Sequence, residues 1–153
     1  MIDTLVAMLP ETSRAAIVYP LLAQVLLTFV LMFLMAMQRV KAANARRYKI
    51  RDIAVDSGKY PDDVRKFGNS YSNQFELPVL FYLLCILLML LQPGGNSLYL
   101  LLAWVFVASR YVHAFIHVTS NHVLRRFYAF LVSALVLVLM WALLAFELIT
   151  STF

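Results

Sequence analysis

Charge is what this chain has least of. Only 14% of its 153 residues are charged, against about 25% in an ordinary soluble domain. Hydrophobic residues make up 63%, where about 45–50% is usual. Thirteen Lys plus Arg and eight Asp plus Glu cannot cover a soluble surface. That excludes a disordered chain, a coiled coil and a soluble enzyme of ordinary make. Four glycines without a period exclude collagen and solenoid repeats. Cys85 is the single cysteine, so no intrachain disulfide can form. It lies in an apolar run, where a thiol behaves as a small buried hydrophobe. No Gly-rich phosphate loop, nucleophile elbow or CxxC is present. A net charge of +5 raises the question of nucleic acid, but such a binder carries its basic face on a soluble body. Here most of the charge gathers in one loop, so no nucleic-acid partner is expected. The length allows a single domain, residues 1–153, and the composition makes it an integral membrane protein.

Four apolar stretches are long enough, or nearly so, for the roughly 20 residues that a spanning helix needs. They cover about 17–37, 75–91, 98–119 and 127–149. The first is interrupted only by Gln24 and Thr28, and the second stops at the turn signal Gln92-Pro93-Gly94-Gly95-Asn96. Asp3, Glu11 and Arg14 precede the first stretch in place of a basic leader, so a cleaved signal peptide is not expected. The fold class is all-α, a four-transmembrane-helix bundle with both termini on one side.

Orientation follows from the basic residues. Arg39, Lys41, Arg46, Arg47, Lys49, Arg51, Lys59, Arg65 and Lys66 lie between spans one and two, and Arg125 and Arg126 between three and four. Eleven of the 13 basic residues therefore share one side, which the positive-inside rule assigns to the cytoplasm. Both termini then lie outside, in a periplasm or an organelle lumen, and in a bacterium the membrane is the inner one. Residues 39–61 read as a loop that either lies solvated at anionic headgroups or lines the entrance for an anionic substrate. Pro61-Asp62-Asp63 has the make of a helix start. The second helix is therefore expected to begin near Pro61, in water, and to enter the membrane around Phe75.

Polar residues at membrane depth carry the functional information. An ionisable group there costs at least about 2.5–3.5 kcal/mol on insertion scales. Lys66, Asn69, Asn73 and Glu76 fall 3, 4 and 3 residues apart, on one helical face. Pro78 follows, and its missing amide donor loosens the turn beside Glu76. Arg110, His113, His117 and Asn121 fall 3, 4 and 4 apart, again on one face. With Arg125 and Arg126 opening the fourth span, three helices place polar groups at one depth, and convergence inside the bundle or an oligomer is the cheapest arrangement. Glu76 and Arg110 allow two readings: an ion pair that registers two helices, or a site for a ligand of both charges. Glu76 would then receive an ammonium, and Arg110 or Arg126 a carboxylate or thiolate. His113 and His117 have the spacing of a metal pair, with Glu76 as third ligand, but no second acid follows on that helix and no metal is assigned. Trp104, Tyr99, Tyr111 and Trp141 read as interface anchors and packing.

At these residues the chain resembles the MAPEG family, the membrane-associated proteins of eicosanoid and glutathione metabolism. Asn73-Gln74-Phe75-Glu76-Leu77-Pro78 looks like the family's pattern of Asn, two residues, Glu and a nearby Pro. Arg110-Tyr111-Val112-His113 looks like its Arg-x-x-His signature, and Arg126 falls where the family carries the arginine for the glutathione thiolate. The resemblance implies a homotrimer of four-helix subunits. It also implies a glutathione-dependent transferase or peroxidase acting on hydrophobic electrophiles that arrive from the bilayer. Arg126 would be catalytic, and Asn73, Glu76, Arg110, His113 and His117 would bind the cosubstrate glutathione or shape its pocket. The chain departs from the pattern at Asn69, where many members have Arg, and at His117, where Tyr is common. It departs again at Phe127 and Phe130, where some have hydroxyl residues. Those departures keep a second reading open, a non-catalytic scaffold or lipid-binding protein of the same fold. A third, an ion or proton carrier, ranks last because the polar groups cluster at one membrane face.

Overall fold

The structure, a computed structural model, describes residues 14–54, 56–91 and 95–151. Asp3, Glu11 and the Gln92–Gly94 part of the expected turn lie outside the described residues. A 3-10 turn at Arg14–Ile17 leads into helix α1, Val18–Asn44. The short helix α2, Ile50–Ile53, and a 3-10 turn at Ser57–Lys59 follow. Next come α3, Asp62–Ser72, a 3-10 turn at Asn73–Phe75, and α4, Leu77–Leu91. Helices α5, Ser97–Val118, and α6, Val123–Ser151, complete the chain.

Four helical rods are long and apolar enough to cross a membrane: α1, the α3–α4 pair, α5 and α6. Only 22–39% of the most apolar window of each is buried inside the bundle. Side chains such as Phe33, Leu90, Leu135 and Phe146 point outward with more than half their surface bare. Outward apolar surface on every rod is the pattern of a protein whose solvent is lipid. The chain is a multi-pass integral membrane protein, an all-helical bundle in a bilayer.

The residues 39–61 expected as a loop are partly helical. Helix α1 runs on to Asn44, because Ala42 and Ala43 favour helix and no breaker intervenes. It ends where Arg46 takes a left-handed conformation, φ 51°, and the Arg46 and Arg47 amides turn back to the carbonyls of Ala43 and Ala42. Tyr48 then ties the turn to α1, its hydroxyl donating to the Arg39 carbonyl at 2.8 Å. The start at Pro61 is present as expected, with Asp62 and Asp63 in the first turn of α3. Arg47 binds the Asp63 carboxylate through both terminal nitrogens, at 2.7 and 2.8 Å, and that pairing holds its guanidinium above its ordinary range.

The core lies between α4, α5 and α6. Phe81, Leu84, Cys85 and Leu88 face Tyr99, Ala103, Phe106 and Val107, with Leu137, Met140 and Leu144 closing the layer. Phe81 stacks on Phe106 with ring centroids 4.4 Å apart. Cys85 is fully buried among them. The two polar interruptions of the first span are hydrogen-bonded inside the bundle, although the Gln24 side-chain oxygen has no partner among the described residues. Gln24 donates to the Gln74 side chain at 2.9 Å, and Gln74 donates to the Ser70 carbonyl at 3.1 Å. Thr28 donates to the Gln24 carbonyl at 3.2 Å and stands 3.4 Å from the Tyr82 hydroxyl.

Candidate functional site

The site begins with a broken helix. Pro78 has no amide hydrogen to give the carbonyl four residues back, and its ring disfavours helix in the residue before it. The chain responds with the 3-10 turn at Asn73–Phe75 and a non-helical Glu76, φ −102° and ψ −109°. Helix resumes at Leu77. At this break Arg110 reaches the backbone of α3–α4: its Nη2 donates to the Asn73 carbonyl at 3.0 Å.

Arg110 thus stands behind the helix break. It is completely buried, and its Nε and Nη1 have no hydrogen-bond partner among the described residues. It does not line the cavity described below. Nor do Arg110 and Glu76 form the ion pair that their types suggested, although their charges lie near enough to interact. The cause is the helix break, which offers the guanidinium a backbone oxygen instead of the carboxylate.

One turn further along α5, His113 and His117 are both buried, at 5% and 3% exposure. Their rings meet edge to face with centroids 5.7 Å apart. Each has one nitrogen engaged by Arg126 of α6. His113 Nδ1 lies 2.8 Å from the Arg126 carbonyl, and His117 Nε2 lies 2.8 Å from Arg126 Nη1. The turn between α5 and α6 adds a third grip. Asn121 sits in the left-handed region, φ 50°, a conformation that Asn tolerates better than most residues. Its side-chain oxygen accepts from Arg126 Nη1 at 2.8 Å. Lys66, placed by its spacing on the polar face of α3, instead donates to the Thr119 carbonyl at the end of α5, at 2.9 Å. It ties the two helices together at this end of the bundle.

These groups surround a cavity of about 440 Å³ at the basic end of the bundle. Asn69, Ser72, Asn73 and Glu76 form one wall, His113 and His117 the floor of α5, and Val123, Arg126, Phe127 and Phe130 the wall from α6. The size is that of a small-molecule site. Asn73, Glu76, His113, His117 and Arg126 thus come together, and Arg110 stands behind them. Among the described residues no three His, Cys, Asp or Glu side chains gather to hold a metal ion. The two imidazoles that had the spacing for one are turned to Arg126 instead.

The family model for MAPEG matches residues 17–146, nearly the whole chain. The chain belongs to the MAPEG family. No curated protein and no solved structure matches it. Sequence reasoning did not find the roles of Ser72, Val123, Gln74 and Asn121. Asn121 had one signal, its place at the end of the Arg110–His113–His117 stripe. Gln74 had none, because its burial depends on which way the broken helix turns.

A second hollow of about 390 Å³ follows directly along α6, lined by Leu77, Leu80, Ala134, Leu137, Val138 and Trp141. Its lining is almost wholly apolar. Phe130 and Ala134 are one helical turn apart, and Glu76 adjoins Leu77, so the groove lies next to the polar cavity along α6.

Proposed function

We propose that this MAPEG protein is a membrane-bound, glutathione-dependent transferase or peroxidase acting on hydrophobic electrophiles. The observation that carries the reading is the hold on Arg126. Two acceptors fix one end of its guanidinium, and its remaining N–H groups stay available to an anion in the cavity. A glutathione thiol has an ordinary pKa of about 8.5, and a cation beside it favours the thiolate, which is the nucleophile. Asn73 and Glu76 across the cavity suit the amino and amide groups of a peptide-like cosubstrate. The apolar groove suits an electrophile that arrives from the bilayer. In this reading the subunits form a homotrimer, the basic end faces the cytoplasm, and both termini lie on the other side.

The test uses detergent-purified protein. Glutathione should bind by calorimetry, and Arg126→Ala should lose conjugation of chlorodinitrobenzene while keeping the oligomer of the wild type. Normal turnover in that variant would remove Arg126 from the mechanism. A second reading, a non-catalytic scaffold or lipid-binding protein, draws on Phe127 and Phe130. Both face the cavity beside Arg126 and neither can donate a hydrogen bond. Absence of glutathione binding at millimolar concentration would favour it.

A further inference from the structure

His113 and His117 differ in which nitrogen bears the proton, and their partners fix the assignment. A carbonyl oxygen only accepts, so His113 Nδ1, 2.8 Å from the Arg126 oxygen, is the protonated nitrogen of that ring. A guanidinium only donates, so His117 Nε2, 2.8 Å from Arg126 Nη1, is the bare nitrogen of the other. The two rings are opposite tautomers. It follows that the neutral His113 ring has an open acceptor at Nε2. That atom is buried, belongs to a residue 5% exposed, and has no hydrogen-bond partner among the described residues. A buried acceptor without a donor is costly, and His113 stands in the wall of the polar cavity.

We infer that His113 Nε2 is the base that takes the thiol proton of the cosubstrate. The inference rests on the reading of the cavity as a glutathione site and goes beyond it by naming where the proton goes. The geometry suits the part. His113 and Arg126 line the same cavity, so a cosubstrate held there lies against both residues. The α6 positions beside Arg126 carry no hydroxyl to do the same work, being Phe127 and Phe130. Charged or titratable groups face His113 from each packed element: Arg110 and His117 on α5, Arg126 on α6, and Glu76 at the α3–α4 break.

The step balances within the site. The S–H bond breaks, its electron pair stays on sulfur against Arg126, and the proton moves to Nε2 to give an imidazolium. With an epoxide as electrophile, the thiolate forms the C–S bond and the C–O bond opens. The oxygen then takes the proton back from Nε2, and the neutral ring returns.

Three measurements on purified full-length protein decide it. Calorimetry of glutathione binding at neutral pH, in buffers of different ionisation enthalpy, should show thiolate formed by its ultraviolet absorbance without proton release to the buffer. Release of one proton per thiolate would overturn the assignment without any variant. His113→Asn keeps an N–H for the Arg126 carbonyl and removes the base. Its affinity for S-methylglutathione should fall far less than its turnover. Its conjugation of chlorodinitrobenzene should fall about 100-fold at neutral pH, the lower end of general-base contributions, and recover as pH rises. A wild-type pH profile in that variant would overturn the proposal, as would an equal loss at every pH or loss of S-methylglutathione binding. Failure of the wild type to bind glutathione at all would instead overturn the function on which the proposal stands.

Discussion

Arg126 Nη1 stands 2.8 Å from His117 Nε2 and 2.8 Å from Asn121 Oδ1, a single nitrogen shared by two acceptors on either side of the α5–α6 turn. One acceptor comes from a buried helix face, the other from a residue whose left-handed backbone aims its side chain back at α6. The arginine is thereby oriented from behind.

Removal of either acceptor should loosen the guanidinium without removing its charge. A hydrogen bond to a charged group contributes about 1.5–3 kcal/mol, and about 1.4 kcal/mol is tenfold in rate. His117→Phe and Asn121→Gly, which keeps the backbone conformation, should each lower kcat/KM for conjugation about tenfold. In an Arg126→Ala background neither should lower it further. Steady-state kinetics of the three single and two double variants check this, and a further loss in the Ala background would show a role independent of Arg126.

Arg110 should matter to stability first. Its Nη2 donates to the Asn73 carbonyl at the helix break, inside the bundle. Arg110→Met would fill the space and remove a charged hydrogen bond from the bundle interior, at a cost of about 1.5–3 kcal/mol. Thermal unfolding in detergent should show a Tm lower by about 5 °C, from roughly 2–4 °C per kcal/mol at this size. An unchanged Tm would mean that the break does not depend on the guanidinium.

The four crossing rods were legible because lipid imposes a long apolar run with few exceptions, and the exceptions were informative. Asn69, Asn73 and Glu76, and His113 and His117, were legible as two faces at one depth, since helical spacing and membrane cost act on side chains alone. The contact that Arg110 makes was not legible, for a physical reason. Arg110 shares the His113 stripe, but its partner is a backbone oxygen, and a backbone oxygen at a helix break has no letter in the sequence. Residues 45–61 were legible only as basic, because their short helix and turns depend on tertiary ties such as Tyr48 to Arg39 and Arg47 to Asp63. The hold of Asn121 on Arg126 required knowing that the turn after α5 is left-handed.

Gln24 and Gln74 should show coupling. Each is buried, at 0% and 1% exposure, and the 2.9 Å bond joins α1 to the start of the helix break. Interhelical hydrogen bonds of this kind in membranes average about 0.6 kcal/mol and reach about 1.7. Gln24→Leu and Gln74→Leu should each destabilise, and the double variant should lose less than the sum by an amount in that range. Thermal unfolding of the cycle measures it; strict additivity would show that the bond contributes nothing beyond its separate ends.

The proposed orientation has a clean chemical test because Cys85 is fully buried in the core and should stay silent toward a membrane-impermeant maleimide. Lys49→Cys places one exposed thiol in the basic segment between α1 and α2, on the side where eleven of 13 Lys and Arg residues lie. If that side is cytoplasmic, as the positive-inside rule requires, intact cells should leave Lys49→Cys unlabelled. Inverted membrane vesicles should label it fully. Labelling in intact cells would reverse the topology, and with it the side from which a water-soluble cosubstrate enters the cavity at Arg126.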